Sequence, residues 1–131
     1  MGQPAAKQGD QVIGSDIHII MIPAPPGPPV PTPLPHPFAG VLMQGLSNNV
    51  MIQGMPAATV DSIAVNLPPH IPQGGPFQKP PANQGKIMMG SPTVFINKKP
   101  AARMGDTALT CNDPTDLPMG SVIAVSTVLI G

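Results

Sequence analysis

Aromatic side chains are nearly missing from this sequence, which has three Phe, no Trp and no Tyr in 131 residues. A core built without them must be filled by Val, Ile, Leu and Met. Charge is equally scarce: six Lys and Arg offset six acidic residues, all of them Asp, so the formal net charge is zero. A neutral chain lacks the basic face that nucleic acid demands, so no nucleic-acid partner is expected. No run of 18 apolar residues occurs, which argues against a membrane-spanning helix. The N-terminus has no apolar core of a secretory signal. Met1-Gly2 opens like a myristoylation site, but Ala6 stands where Ser or Thr is needed. A single cysteine, Cys111, excludes an internal disulfide and leaves a thiol that is buried, reactive or metal-bound.

What is abundant is proline, at 21 residues, together with 14 Gly. Such a content often accompanies disorder. Disorder, however, goes with low hydrophobicity and high net charge, whereas 41% of this chain is hydrophobic and it carries no net charge. The reconciliation is one all-β domain, residues 1–131, of short strands joined by long, stiff loops, since proline lowers the entropy of the unfolded chain. Residues 11–22 are rich in β-branched side chains and read as extended. Residues 23–37, with proline at nearly every second position, read as polyproline-like or irregular. Three hairpins are expected: Val41–Met43 with Val50–Ile52, Ile87–Met89 with Val94–Ile96, and Val122–Val125 with Val128–Ile130, the last alternatively one longer strand because no Gly or Pro separates its halves. No segment of helical length combines an apolar 3.6-residue period with freedom from Gly and Pro.

A repeated frame organises the rest. Val94-Phe95-Ile96-Asn97-Lys98-Lys99-Pro100-Ala101-Ala102 is matched without gaps by Val50-Met51-Ile52-Gln53-Gly54-Met55-Pro56-Ala57-Ala58. A third copy is divided between the chain ends: Val128-Leu129-Ile130-Gly131 supplies its front and Pro4-Ala5-Ala6 its back. Internal repeats fix architecture. Three arms, roughly 1–52, 53–96 and 97–131, imply a pseudo-threefold body closed by its own termini, with Gly131 close to Met1.

All the ligand-type side chains apart from Asp follow the Pro-Ala-Ala elements. His18 lies 14 residues after Pro4, His70 lies 14 after Pro56, and Cys111 lies 11 after Pro100, while His36 comes late in the first arm. Equivalent positions on three arms meet at an axis. Three imidazoles and a thiolate suit a tetrahedral zinc site better than Mg²⁺ or Ca²⁺, which want oxygen; copper or iron remain open. Four protein ligands leave no position for a reactive water, and no Glu is present to act as acid or base, so a structural metal is expected. Asp16, Asp113 and Asp116 are placed to orient an imidazole. Two other function classes compete: a small zinc-dependent hydrolase, and a proline-rich adaptor whose loops bind a partner.

Residues 90–106, Gly-Ser-Pro-Thr-Val-Phe-Ile-Asn-Lys-Lys-Pro-Ala-Ala-Arg-Met-Gly-Asp, resemble the signature of the PAAR-repeat family. The resemblance extends through the repeats to the whole chain. It implies a small cone of short strands with pseudo-threefold symmetry, the non-enzymatic membrane-piercing tip of a contractile injection system such as type VI secretion or a phage-tail-like particle. It also implies a trimeric β-helical spike as partner, one tip per trimer, with effector cargo as an optional passenger and assembly on the particle in the cytoplasm before outward delivery. Apical zinc, one per chain, would be held by His18, His36, His70 and Cys111. Pro4, Ala5, Ala6, Pro56, Ala57, Ala58, Pro100, Ala101, Ala102 and Arg103 would mark the repeat motif and the region facing the spike. The middle repeat departs from the pattern, reading Thr59-Val60-Asp61 where Arg and Gly are expected, and the first has Lys7 for Arg.

Overall fold

The structure, a computed structural model, describes residues 2–131, and among them there are twelve strands and no helix. In chain order these are β1 (Gln3–Pro4), β2 (Gln11–Ile22), β3 (Val30–Gln44), β4 (Met51–Ile52), β5 (Met55–Pro56), β6 (Ile63–Asn66), β7 (Gln84–Ile87), β8 (Phe95–Ile96), β9 (Lys99–Pro100), β10 (Thr107–Thr110), β11 (Leu117–Ile123) and β12 (Leu129–Ile130). Six close into a barrel in the order β10-β11-β2-β3-β6-β7, and three two-stranded sheets, β1-β12, β4-β5 and β8-β9, stand apart from it.

The small sheets are the repeated frame. In β4-β5 the turn residues Gln53 and Gly54 have φ of 52° and 81°; in β8-β9, Asn97 and Lys98 have 52° and 69°. Two consecutive left-handed residues make the turn whose twist matches a tight hairpin. The third sheet pairs Gln3 with Ile130 and Pro4 with Leu129, so the two chain ends stand where the other hairpins have their turn. The expected closeness of the termini therefore holds for Gln3 and Ile130; Met1 lies outside the described residues.

The expected hairpin partners are overturned. β4 folds back on β5, not on Val41–Met43, which belongs to β3 and pairs with β2 and β6. β8 likewise pairs with β9, and β12 with β1, while Ile87 and Val122 join the barrel. Residues between the apolar pairs are anchored otherwise: the Ser47 hydroxyl accepts from Val50 N–H at 2.9 Å, and the Ser91 hydroxyl from Val94 N–H at 2.9 Å. These side-chain bonds close local turns ahead of β4 and β8. The proline segment also differs from expectation, since Val30 to Pro37 is regular strand within β3.

At the centre the second Ala of each repeat joins a closed ring. Ala6 N–H donates to Ala102 O, Ala102 N–H to Ala58 O, and Ala58 N–H to Ala6 O, each at 3.0 Å. Around it, Gln8, Val60 and Met104 donate to Pro56, Pro100 and Pro4 at 2.8–2.9 Å, and bridges link Ala5 to Arg103, Lys7 to Ala57, and Thr59 to Ala101. All six alanines are fully buried. Backbones that meet at an axis leave room for a methyl group and little more. On one side lie Ile52, Ile96 and Ile130 under the hairpins; on the other, Leu42, Ile87 and Val122 fill the barrel.

The residues after each Pro-Ala-Ala close a second turn. Asp10 accepts from Lys7 N–H at 3.0 Å and Asp106 from Arg103 N–H at 2.8 Å. In the middle arm Ser62 takes over, accepting from Thr59 N–H at 3.0 Å. The preceding residue is left-handed in all three: Gly9 at 90°, Gly105 at 89° and, where glycine is missing, Asp61 at 79°. Asp is among the few side chains that adopt this region readily, which accounts for the departure of the middle repeat.

Ala102→Val should lower stability by about 3 kcal/mol, because overpacking and a strained ring act together. Gly105→Ala meets no neighbouring atom and should cost only about 1 kcal/mol of backbone strain. Denaturant titrations of both variants check this order.

Candidate metal centre

Strand alternation delivers the first donors. Residues two apart on a strand share a face, so Asp16, His18 and Ile20 of β2 all point inward and are buried. His36 and Phe38 of β3 do the same, and the register sets His36 directly opposite Asp16. Cys111 follows the last residue of β10 and is buried. His70 comes from the irregular segment between β6 and β7. Its backbone N–H donates to Asn83 Oδ1 at 2.8 Å, which fixes the loop.

Asp16, His18, His70 and Cys111 offer one donor atom each within 4.8 Å of one another. Asp16 Oδ2 accepts from His70 Nε2 at 2.9 Å and from the Cys111 thiol at 3.3 Å. Cys111 Sγ lies 3.7 Å from His18 Nε2. Such a set of imidazole, thiol and carboxylate donors could hold a metal ion. His36 stands at the margin of this group, its ring centre 5.4 Å from that of His18 and 5.5 Å from that of His70. Its Nδ1 donates to Leu34 O at 2.9 Å, which turns the lone pair of Nε2 inward, and Nε2 is buried without a hydrogen-bond partner. A buried nitrogen lone pair without a donor carries a desolvation cost, which a bound metal would relieve.

Of the three carboxylates expected to orient an imidazole, the structure distributes the roles unevenly. Asp16 is inside the cluster itself. Asp113 Oδ1 is 3.6 Å from His18 Nδ1, and its Oδ2 accepts from Ile19 N–H at 2.9 Å. Asp116 is exposed. Sequence reading missed the asparagines. Asn112 Oδ1 accepts from Ile17 N–H at 2.7 Å, and its Nδ2 donates to Thr110 O at 3.1 Å and lies 3.4 Å from Asp16 Oδ1. Asn66 Nδ2 donates to Asn83 Oδ1 at 3.1 Å. No spacing signal marks them, because they bridge segments far apart in sequence.

Electrostatics prepare the imidazole and hold back the thiol. Burial first, and the neighbouring His70 second, keep the pKa of His18 below its ordinary value, so its ring stays neutral and can offer a lone pair. Burial, reinforced by the Asp16 carboxylate, pushes the Cys111 thiol up to about 12. A metal binding here would have to displace the thiol proton, releasing it to solvent.

The family model described as PAAR motif matches the chain over residues 35–115 and again over 78–131, together more than half of its length. Among curated proteins, none matches the chain.

Apparent metal affinity should rise about tenfold per pH unit between pH 7 and 8, since one thiol proton leaves per metal bound; chelator competition at several pH values measures it. Asp16→Asn keeps the shape but removes the charge and should weaken metal binding by about 10–100-fold.

Proposed function

This chain belongs to the PAAR-motif family, and on that premise we propose that it is a non-enzymatic tip capping the trimeric β-helical spike of a contractile injection system. The observation that carries this reading is the hairpin face. Met51, Phe95 and Leu129 occupy the same position of the three small sheets and are 54%, 58% and 61% exposed. Their neighbours Ile52, Ile96 and Ile130 point the other way, into the core. Three large apolar side chains at related positions form the kind of patch that marks an interaction surface.

A trimer presents its end surface three times around an axis. One chain with three repeats meets each copy with the same contact. The small sheets have two strands each and so leave open edges, which invite pairing with strands of another chain. Capping a β-helix satisfies the edges of both partners. The pseudo-threefold ring of Ala6, Ala58 and Ala102 behind this face keeps the three contacts in register.

At the other end we assign a structural zinc, one per chain, to His18, His36, His70 and Cys111. The unpartnered Nε2 of His36 supports its inclusion. Asp16 stands beside them, accepting from His70 Nε2 and, until metal uptake removes the thiol proton, from Cys111. A divalent zinc, a thiolate and this carboxylate sum to no net charge, which suits a buried site. Zinc bound by four protein groups has no open position for a substrate, which favours a mechanical role over hydrolysis. A stiffened point suits a tip driven into a target membrane by sheath contraction.

Co-purification with a trimeric β-helical spike protein should give one chain per trimer. Phe95→Asp should lower that affinity at least about tenfold with no loss of thermal stability; unchanged binding would remove the face from the account. Elemental analysis should find one zinc per chain, and His36→Ala should retain less than half of it. Full zinc occupancy in that variant would assign the fourth position to Asp16.

A further inference from the structure

The projecting hairpin β2-β3 has two long edges, and they are treated differently. On the β2 edge, Ile17, Ile19 and Met21 turn their main-chain groups away from β3. Their N–H groups donate to Asn112 Oδ1, Asp113 Oδ2 and Pro76 O at 2.7–2.9 Å. Ile17 O and Ile19 O accept from Asp113 and Gln78 N–H at 2.8 and 2.9 Å. This edge is covered by other parts of the chain.

The register fixes what the opposite edge presents. Ile17, Ile19 and Met21 stand across from Pro35, Pro33 and Pro31. In an antiparallel pair, facing residues either exchange hydrogen bonds with each other or both turn away. The polar groups of Pro31, Pro33 and Pro35 therefore point out of the hairpin, and alternation adds Pro37, which faces Ser15. All four prolines are exposed, and β3 gains its next strand neighbour, β6, only from Gly40 onward. Proline has no N–H. From residue 31 to 37 this edge offers carbonyls and not one donor. The next residue on that side, Ala39, does carry an N–H, and it is occupied by Asn66 Oδ1 at 2.9 Å.

We infer that the alternating prolines make this edge a surface that refuses strands, including the same edge of a second copy. An added strand needs donors and acceptors in alternation; here every donor position is blank over the whole exposed stretch. Only side-chain donors, which need no acceptor in return, can approach it. The prolines cost the hairpin nothing internally, because Thr32, Leu34 and His36 keep the N–H groups that face β2. The inference concerns the side of the molecule and stands whether or not the hairpin face binds a spike.

The test restores the donors in the full chain. A variant with Pro31→Thr, Pro33→Thr and Pro35→Thr should form dimers or larger species by analytical ultracentrifugation at concentrations where the parent is monomeric. A folded triple variant that stays monomeric overturns the inference. Pro33→Thr alone decides the matter if the triple variant does not fold. Its new amide should exchange within about tenfold of an unstructured amide when dilute. An amide at 33 protected in dilute solution would show that it bonds within the chain, and the edge assignment would fail.

Discussion

The ring of three hydrogen bonds among Ala6, Ala58 and Ala102 is the constraint on which the rest of the molecule depends. It joins positions that are 52 and 44 residues apart in sequence at one point, and it does so with backbone alone. Main-chain groups buried at an axis must pair, and here they pair with one another. The ring thus specifies threefold closure, and it specifies alanine, since a larger side chain would separate the strands that make it. The three hairpins and the barrel strands leave this ring on opposite sides, so each inherits its threefold placement from it.

The candidate metal centre lies where that symmetry has faded. The strand β2 runs from Gln11, beside the ring, to Ile22, and at about 3.3 Å per residue His18 stands roughly 20 Å from the ring. There the three arms contribute unlike elements: a long hairpin with Asp16, His18 and His36, an irregular loop with His70, and a strand end with Cys111. Such a site cannot be held by symmetry. It is held by polar side chains: Asn112 and Asn66 bridge to β2 and β3 of the first arm, and Asn83 fixes His70 within its own arm. A metal bound to donors from all three arms would tie together ends that otherwise share little apolar contact, which is where a small domain most needs a cross-link.

The repeats were legible in the sequence because their spacing survives substitution, and they carried the threefold body and the meeting of the chain ends with them. Hairpin partners were not legible. Val41–Met43 and Val50–Ile52 look alike in composition, and only the left-handed pair Gln53–Gly54, together with the Ser47 cap, directs β4 to β5. The proline run misled for a related reason. Proline forbids a strand only where its missing N–H is needed, and a spacing of two puts the four prolines of β3 on the edge that has no partner. At the candidate metal centre the residue types Asp, His and Cys were visible, and Asp16, expected to orient an imidazole, accepts from His70 Nε2; its place opposite His36 across the hairpin was not legible. Register over a hairpin of this length is not written in local composition.

The proposed function rests on the contrast between the two ends. One is symmetric and exposes Met51, Phe95 and Leu129; the other is asymmetric, proline-covered and built around buried donors. A cap on a trimer would use the first and a piercing point the second, and the alanine ring joins the two. Amide hydrogen exchange at Ala6, Ala58 and Ala102 tests that claim most directly. If the ring is the common support, all three amides exchange only through global unfolding, with equal protection free energies. Rapid exchange at any one of them, while the other two stay protected, would show that the arms open independently and contradict the account.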